Sequence, residues 1–156
     1  MPRDLYMRYY IITLGVIIVD QITKFLIRAN FAVGESMPIL GDFFKLTYIR
    51  NDGAAFSMLS GAKVFLIILP LVAIGLAIWY MERHRREEHF TLPLALSLII
   101  GGGIGNLIDR IASGEVTDMF DFSIFPPIFN VADIAVCVGC AFLVLYVLFF
   151  DKKARE

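Results

Sequence analysis

Two aspartates stand out because each is set among apolar residues. Asp118 is in the segment VTDMFDF (116–122), and Asp133 is at the end of FNVAD (129–133). Two carboxylates brought together in a poorly solvated site cannot both ionise easily, so they would share one proton. The ionised member then activates a water while the protonated member polarises a carbonyl. This pair of residues predicts hydrolysis of an amide bond without a metal or a cofactor.

Other polar residues recur at helical spacing inside apolar segments. Asp20 and Lys24 are four residues apart and can pair on one helix face. Gly102, Asn106 and Arg110 also recur every four residues and share a face. An ionisable residue inside a membrane span is costly and is therefore a candidate for function. We interpret Asp20 with Lys24, and Asn106 with Arg110, as polar contacts that orient the helices around a site.

Four long apolar segments must position these residues. They cover about residues 9–27, 64–81, 90–110 and 131–150. Each is close to the ~20 residues that cross a hydrocarbon core of ~30 Å, and none alternates as a barrel strand does. The chain is 58% apolar and 19% charged, which is more apolar than an ordinary soluble domain. The sequence predicts an all-α polytopic membrane protein with four transmembrane helices and one membrane-embedded domain over residues 1–156.

Basic residues predict the orientation of the four spans. They precede the first span, lie between the second and third, and follow the fourth, as Arg3, Arg8, Arg83, Arg85, Arg86, Lys152, Lys153 and Arg155. Cytoplasmic segments carry the excess of Lys and Arg, so both termini are expected in the cytoplasm. Asp20 then lies in the outer half of its helix, and Asn106 and Asp133 lie at the outer ends of theirs. The polar residues are therefore expected together near the extracytoplasmic leaflet.

The segment between the first two spans is long enough to have structure of its own. Residues 37–40 and 43–49 have strand character and flank a plausible turn at Gly41 and Asp42. We expect a small extracytoplasmic β-sheet of two or three strands on the membrane surface. Residues 51–56 then lead to a short interfacial segment before the second span. Asp118 is expected in the loop that joins the last two spans.

Several other kinds of site are disfavoured. The net charge is −1, with 14 basic and 15 acidic residues, which argues against binding of nucleic acid. Both histidines, His84 and His89, lie in the cytoplasmic loop, so they cannot form a zinc site at the outer side. Cys137 and Cys140 have CxxC spacing inside an apolar helix, and we interpret them as small buried packing residues.

Two other acids compete with the proposed pair. Asp121 follows Asp118 by three residues, and we interpret it as an exposed loop acid because acids are usually solvated. Asp109 adjoins Arg110, and a neighbouring cation would hold it ionised. An ionised carboxylate paired with a cation suits a structural role more than exchange of a proton.

Five segments together resemble the bacterial lipoprotein signal peptidase family, also called signal peptidase II. They are DQITK (20–24), NDGAAF (51–56), GGIGNLIDR (102–110), VTDMFDF (116–122) and FNVAD (129–133). They occur in the family's order and involve all four spans or their connections. The resemblance implies a membrane aspartyl endopeptidase that removes the signal peptide from diacylglyceryl-modified prolipoproteins and cleaves before the lipidated cysteine.

The resemblance also assigns residues, partners and location. Asp118 and Asp133 match the catalytic pair. Positions expected to bind substrate or to support the site are Asp20, Lys24, Asn51, Gly102, Asn106, Asp109, Arg110, Asn130 and Ala132. No metal or cofactor is implied. The expected partners are prolipoprotein substrates and membrane lipid, with globomycin as an inhibitor at the site. The expected location is the bacterial cytoplasmic (inner) membrane.

Two functions from other classes remain as alternatives. A proton- or ion-coupled transporter also has charged residues in its spans, but its site usually lies at the midplane between repeated halves. The sequence instead predicts a cluster at one face and has no visible repeat. A non-catalytic membrane subunit would use the polar residues only for helix packing. In that case Asp118→Asn and Asp133→Asn would affect assembly alone.

Overall fold

A computed structural model describes residues 3–53, 63–83 and 89–151 of the chain. It contains four α-helices, which are α1 (Arg3–Asn30), α2 (Lys63–Arg83), α3 (Thr91–Ser113) and α4 (Val131–Phe149). All four are long and apolar enough to cross a membrane. The prediction of four transmembrane helices is therefore confirmed. α1 begins before residue 9 and ends three residues beyond the predicted position 27.

Helix α3 is the centre of the bundle. It packs against α1, α2 and α4. In its most apolar 18-residue stretch 61% is buried, against 17–22% in the corresponding stretches of the other three helices. Glycines allow this close packing. A Cβ atom at Gly101 would lie 2.9 Å from Val16 Cβ, and one at Gly102 would lie 2.3 Å from the carbonyl oxygen of Ala132. The glycines of α3 therefore bring α1 and α4 against it, as small residues do between membrane helices.

The four strands form one antiparallel sheet in the order β1-β2-β3-β4. They are β1 (Ser36–Leu40), β2 (Phe44–Asn51), β3 (Val116–Phe122) and β4 (Phe125–Phe129). The predicted sheet of two or three strands was too small, because β3 and β4 come from the segment between α3 and α4. The sequence does not predict β4 because this strand contains Pro126 and Pro127, and proline lacks the N–H donor that a strand uses in a sheet. An edge strand tolerates this loss.

The sheet changes the expected position of Asp118. This residue was predicted in a loop, but it lies on β3 and pairs with Ile49 of β2. The sheet rests on the end of α1 through a buried cluster of Ile27, Tyr48 and Met119. Asp118 is thus held by a strand that is anchored to a helix. The predicted interfacial segment after Gly53 lies outside the described residues.

Burial in the helices is inverted relative to a soluble bundle. Asp20 and Lys24 of α1 are completely buried, whereas Ile22 and Phe25 of the same helix are 53% and 63% exposed. Charged residues in membrane spans face the bundle interior, and apolar side chains facing outward contact lipid. The arrangement places the charged residues of α1 against α3 at the end of the bundle that adjoins the sheet.

Candidate active site

Asp133 occupies the third position of α4 and forms a capping box with Asn130. The side-chain oxygen of Asn130 accepts from the backbone N–H of Asp133 at 2.9 Å, and Asp133 Oδ2 accepts from the backbone N–H of Asn130 at 3.1 Å. This reciprocal pair satisfies two amides at the start of the helix. The other oxygen, Asp133 Oδ1, accepts from Asn106 Nδ2 at 2.8 Å. Both oxygens of Asp133 therefore have fixed donors.

Asp118 lies on a strand, β3, rather than on a helix. Its two oxygens also accept hydrogen bonds from side-chain amides. Its Oδ1 accepts from Asn130 Nδ2 at 2.7 Å, and its Oδ2 accepts from Asn51 Nδ2 at 3.0 Å. Asn51 ends β2 and Asn130 precedes α4. Asn130 therefore contacts both aspartates, while its own side chain is completely buried. One asparagine joins the strand aspartate to the helix aspartate.

The environment of Asp118 raises the pKa of its carboxyl group above the ordinary value. Burial is the largest cause, and the charge of Asp133 acts in the same direction. The hydrogen bonds from Asn51 and Asn130 and the charge of Lys24 act in the opposite direction, and together these effects raise the pKa of Asp118 to about 6. The first cause is desolvation of the charged form, and the second is repulsion between like charges. Asp133 is thus one of the charges that disfavour ionisation of Asp118.

Near this pair of aspartates, Lys24 is completely buried. Lys24 Nζ is 2.9 Å from Asp20 Oδ2, 3.2 Å from Asp109 Oδ2 and 2.9 Å from Asn106 Oδ1. The ion pair predicted from the spacing of Asp20 and Lys24 is present. A buried charge is costly unless it is paired and hydrogen-bonded, and here the cation has two carboxylates and an amide oxygen around it.

Asp20 links α1 to the start of α4. Its Oδ1 accepts from the backbone N–H of Ala132 at 2.9 Å, across 112 residues of sequence. A negative charge at a helix N-terminus is favourable because of the helix dipole. Gly105 makes room for this contact, since a Cβ atom there would lie 2.6 Å from Asp20 Oδ2. Ala132 therefore contributes its backbone to the site, and Gly102 contributes space.

Asp109 anchors the strand that carries Asp118. Its Oδ2 accepts from the backbone N–H of Thr117 at 3.1 Å, and its Oδ1 lies 3.5 Å from Arg28 Nη1. The charge of Arg110 does act on Asp109, as expected, but the cations in ion-pair distance of Asp109 are Lys24 and Arg28. Adjacent residues on a helix point in different directions, so the Arg110 guanidinium hydrogen-bonds to a different partner while its charge still acts on Asp109, Asp118 and Asp133.

Arg110 instead holds the end of β2. Its Nη2 donates to the carbonyl oxygen of Gly53 at 3.0 Å, and the N–H of Gly53 donates to Asn51 Oδ1 at 3.0 Å. Because Asn51 Oδ1 accepts this bond, its Nδ2 is left to donate to Asp118. Arg110 therefore stabilises the turn that orients the Asn51 amide.

Three residues that contribute to this cluster were missed in the sequence. Arg28 Nη1 donates to Thr117 Oγ1 at 3.1 Å, and Gln21 Nε2 bridges Asp20, Gly105 and Asp109 at 3.1–3.3 Å. Arg28 was detectable, because it continues the four-residue spacing of Asp20 and Lys24. Thr117 had no such signal, since its contacts depend on the strand.

Asp121 lies on β3 but outside the site, because of the alternation of side chains along a strand. Successive strand residues point to opposite faces, so Asp121 and Asp118 lie on different faces of β3. Asp121 Oδ2 accepts from Thr47 Oγ1 at 2.8 Å. The expectation of an exposed loop acid was wrong, because Asp121 is half-buried on a strand. Its hydrogen bond gives it a structural role on the far face of the sheet.

An aromatic surface adjoins Asp118. Phe120 and Phe122 follow Asp118 at alternate positions of β3, so they share its face. The Phe122 ring stacks on Phe44 with centroids 4.6 Å apart and on Phe129 with centroids 5.8 Å apart. We call Phe44, Phe120, Phe122 and Phe129 the aromatic face. It extends the site along the sheet with an apolar surface.

The remaining candidates lie away from this cluster. Cys137 and Cys140 are exposed on α4, so the expectation that they are buried was wrong. His89 stacks on Phe150 beyond the end of α4, with ring centroids 3.9 Å apart. Within residues 3–53, 63–83 and 89–151, no three His, Cys, Asp or Glu side chains are grouped as a metal site.

Comparisons with known proteins cover nearly the whole chain. A sequence model of the family described as signal peptidase (SPase) II matches residues 12–149. The chain is 45% identical over 154 residues to a lipoprotein signal peptidase of Halalkalibacterium halodurans, covering 96% of this chain and 97% of the relative. It is 41% identical over 146 residues to a lipoprotein signal peptidase of Desulfitobacterium hafniense, covering 93% and 96%.

Two solved structures of bacterial membrane enzymes, determined by the in meso method, share the fold. The first, at 2.3 Å resolution, has a TM-score of 0.87 and 31% identity, and the match covers 96% of this chain and 92% of that chain. The second, at 1.9 Å resolution, has a TM-score of 0.83 and 32% identity, with 93% and 94% covered. The four helices and the small sheet therefore have counterparts in membrane enzymes.

Proposed function

Because the chain belongs to the signal peptidase II family, we propose that it is an intramembrane aspartyl endopeptidase acting on diacylglyceryl-modified prolipoproteins. It removes the signal peptide by cleaving before the lipidated cysteine. The observation that carries this proposal is the contact of Asn130 with both Asp118 and Asp133. This contact joins two carboxyl groups, one on a strand and one at a helix start, at a single site. The whole chain, residues 1–156, forms one membrane-embedded peptidase domain.

The chemistry needs one proton shared between Asp118 and Asp133. The ionised carboxylate takes a proton from a water, and the resulting oxygen attacks the scissile carbonyl carbon. The protonated carboxyl group polarises the carbonyl oxygen and stabilises the charge that forms there. Collapse of the tetrahedral intermediate breaks the C–N bond as a proton passes to the leaving amine. The products are the signal peptide with a new carboxylate and a lipoprotein with an N-terminal cysteine.

The three asparagines hold the reacting groups rather than exchange protons. Asn51, Asn106 and Asn130 each donate an amide N–H to an aspartate at 2.7–3.0 Å. Donors that are fixed before the reaction need no reorganisation when charge moves. An amide side chain has no ionisation near neutral pH, so it positions a carboxylate without competing for its proton.

The substrate fits a site at one end of a membrane bundle. A signal peptide is an apolar helix that can approach sideways from lipid, and its diacylglyceryl chains can remain in lipid. We place the site near the extracytoplasmic leaflet and both termini in the cytoplasm, on the basis of the basic flanking residues. The aromatic face beside Asp118 would exclude bulk water from the scissile bond. Globomycin would inhibit by occupying the same site.

The decisive experiment measures cleavage of a diacylglyceryl-modified prolipoprotein by the purified protein in lipid. Wild type is compared with Asp118→Asn and Asp133→Asn, and with Asp121→Asn as a matched control on the other face of β3. We expect both site variants to lose cleavage while remaining folded. Asp121→Asn should cleave at the wild-type rate, and globomycin should block wild type.

Each outcome assigns a function. Full cleavage by a folded Asp118→Asn or Asp133→Asn variant would remove that residue from the mechanism. Failure of folded wild type to cleave would instead favour the transporter or the non-catalytic subunit. Cleavage that occurs equally well with an unlipidated precursor would contradict the proposed substrate class.

A further inference from the structure

Lys24 makes one contact that ion pairing does not explain. Its ammonium group lies 2.9 Å from Asp20 Oδ2 and 3.2 Å from Asp109 Oδ2, but its third acceptor is the neutral oxygen Asn106 Oδ1, at 2.9 Å. An ammonium has three N–H donors and no acceptor. These three contacts therefore use its full hydrogen-bonding capacity inside a site from which Lys24 has no exposure.

The contact determines which way the Asn106 amide faces. Asn106 Oδ1 accepts from Lys24 and from Asn130 Nδ2 at 3.1 Å, and Asn106 Nδ2 donates to Asp133 Oδ1 at 2.8 Å. In the flipped orientation the NH₂ group would face the ammonium, and the carbonyl oxygen would face the Asp133 carboxyl group. The flipped orientation would be unfavourable, because the NH₂ group would oppose two donors, Lys24 Nζ and Asn130 Nδ2, in place of the two hydrogen bonds that Asn106 Oδ1 accepts from them.

We propose that Lys24 is a positioning residue that acts on Asp133 through Asn106, by holding the Asn106 N–H donor toward the carboxyl group. This inference rests on the proposed function, since it takes Asp133 as a reacting group. Lys24 touches neither aspartate of the pair directly and transfers no proton. Its effect is to remove the alternative amide orientation, so that Asp133 has a constant donor during turnover.

A double-mutant cycle tests this route. Lys24→Met, which cannot donate, is introduced into wild type and into Asn106→Leu, in which there is no amide to orient. Single-turnover cleavage of a lipidated prolipoprotein at saturating concentration is measured in all four proteins. In wild type, Lys24→Met should lower the single-turnover rate constant about tenfold, the effect of one hydrogen bond. In Asn106→Leu the same substitution should lower it by less than about twofold.

Thermal unfolding of the same four proteins separates positioning from stability. Lys24→Met deprives Asp20 and Asp109 of their shared cation in both backgrounds, so the midpoint should fall by a similar amount in each. Equal losses of rate in the two backgrounds would overturn the proposal. Lys24 would then act through its charge, on Asp20, Asp109 and the aspartate pair, and not through the Asn106 amide.

A second comparison leaves Lys24 in place and applies even if Lys24→Met does not fold. Asn106→Asp keeps an acceptor for Lys24 but presents an oxygen to Asp133, whereas Asn106→Leu only removes the donor. Asn106→Asp should cleave more slowly than Asn106→Leu. Cleavage by Asn106→Asp that equals or exceeds that of Asn106→Leu would overturn the proposed orientation.

Failure of the proposed function is distinguishable in the same assay. If folded Asp133→Asn cleaves at the wild-type rate, the aspartyl mechanism fails, and the role of Lys24 falls with it. If Asp133→Asn is inactive but the cycle gives equal losses, only the inference about Lys24 is overturned.

Discussion

The two ends of the helix bundle bury different kinds of side chain. At the end beside the sheet, Asp20, Lys24 and Asn130 are 0% exposed. Farther from the sheet the core consists mainly of apolar residues such as Met81 and Ile100, with Thr13 and Ser97 as buried neutral polar residues. Both regions present apolar side chains to the outside, so hydropathy alone does not separate them. The buried charged and amide side chains, which are costly in a membrane span, are therefore at the end of the bundle beside the sheet. Such groups persist in a membrane span when function requires them.

The partners of the buried groups differ in the same way. Near the other end, Thr13 Oγ1 donates to the carbonyl oxygens of Tyr9 and Ser97 at 3.1 and 3.0 Å. These are neutral contacts between a side chain and a helix backbone. At the sheet end, Asp20 contacts Ala132 and Lys24 contacts Asp109, so charges from one helix depend on groups far along the chain. The polar end should therefore be sensitive in activity, and the apolar end only in stability.

Outside the aspartate pair, the largest effect is expected from Asn130→Ala. It removes the donor to Asp118 and the side chain that caps α4, so cleavage should fall about 100-fold, while unfolding free energy should fall by only about 1–2 kcal/mol. Single-turnover cleavage and chemical unfolding in detergent measure the two quantities. A rate loss no greater than the loss of stability explains would contradict a role for Asn130 in the reaction.

Gly105→Ala should have the next largest effect. Its new Cβ would lie 2.6 Å from Asp20 Oδ2, so overpacking should destabilise the fold by about 1–3 kcal/mol and lower cleavage as Asp20 moves from Ala132. Gly75→Ala in α2 is the matched control, because nothing lies within 4 Å of its added Cβ. It should be neutral or stabilising. Similar effects at both glycines would show that the close contact at Gly105 is unimportant.

The pH dependence of cleavage tests the sheet side of the site. Burial raises the pKa of Asp118 to about 6, so cleavage should fall as the pH drops through about 6 and the ionised partner is lost. The Asn51 hydrogen bond lowers this pKa, and Asn51→Leu should therefore move the acid limb to higher pH. Rate profiles at saturating substrate measure the shift. An acid limb that is unmoved in Asn51→Leu would argue against Asp118 as the group that titrates.

The smallest effect on activity is expected at the other end. Thr13→Val removes the hydrogen bond to Ser97 and should lower the unfolding free energy by about 1 kcal/mol, with an unchanged rate of cleavage. Thermal unfolding and the prolipoprotein assay measure both. A loss of rate comparable to that of Asn130→Ala would end the distinction between the two regions.

The sequence by itself determined the spans and the polar residues of the site. Apolar length and composition predict four crossing helices because a hydrocarbon core imposes both. Helical spacing also predicts that Asp20 and Lys24 can pair, since residues four apart are neighbours on one helix. These properties are local along the chain, and no knowledge of distant partners is needed to recognise them.

Only the tertiary structure decided how the site is assembled. The pairing of β2 with β3 places Asp118 on a strand, with Asp121 on the opposite face of that strand. The same pairing brings Asn51 to the carboxyl group of Asp118. Asp109 likewise has Lys24 and Arg28 as partners rather than its neighbour Arg110. Such contacts join segments far apart in sequence, and their geometry follows from sheet register and helix packing, which residue spacing within one segment does not contain.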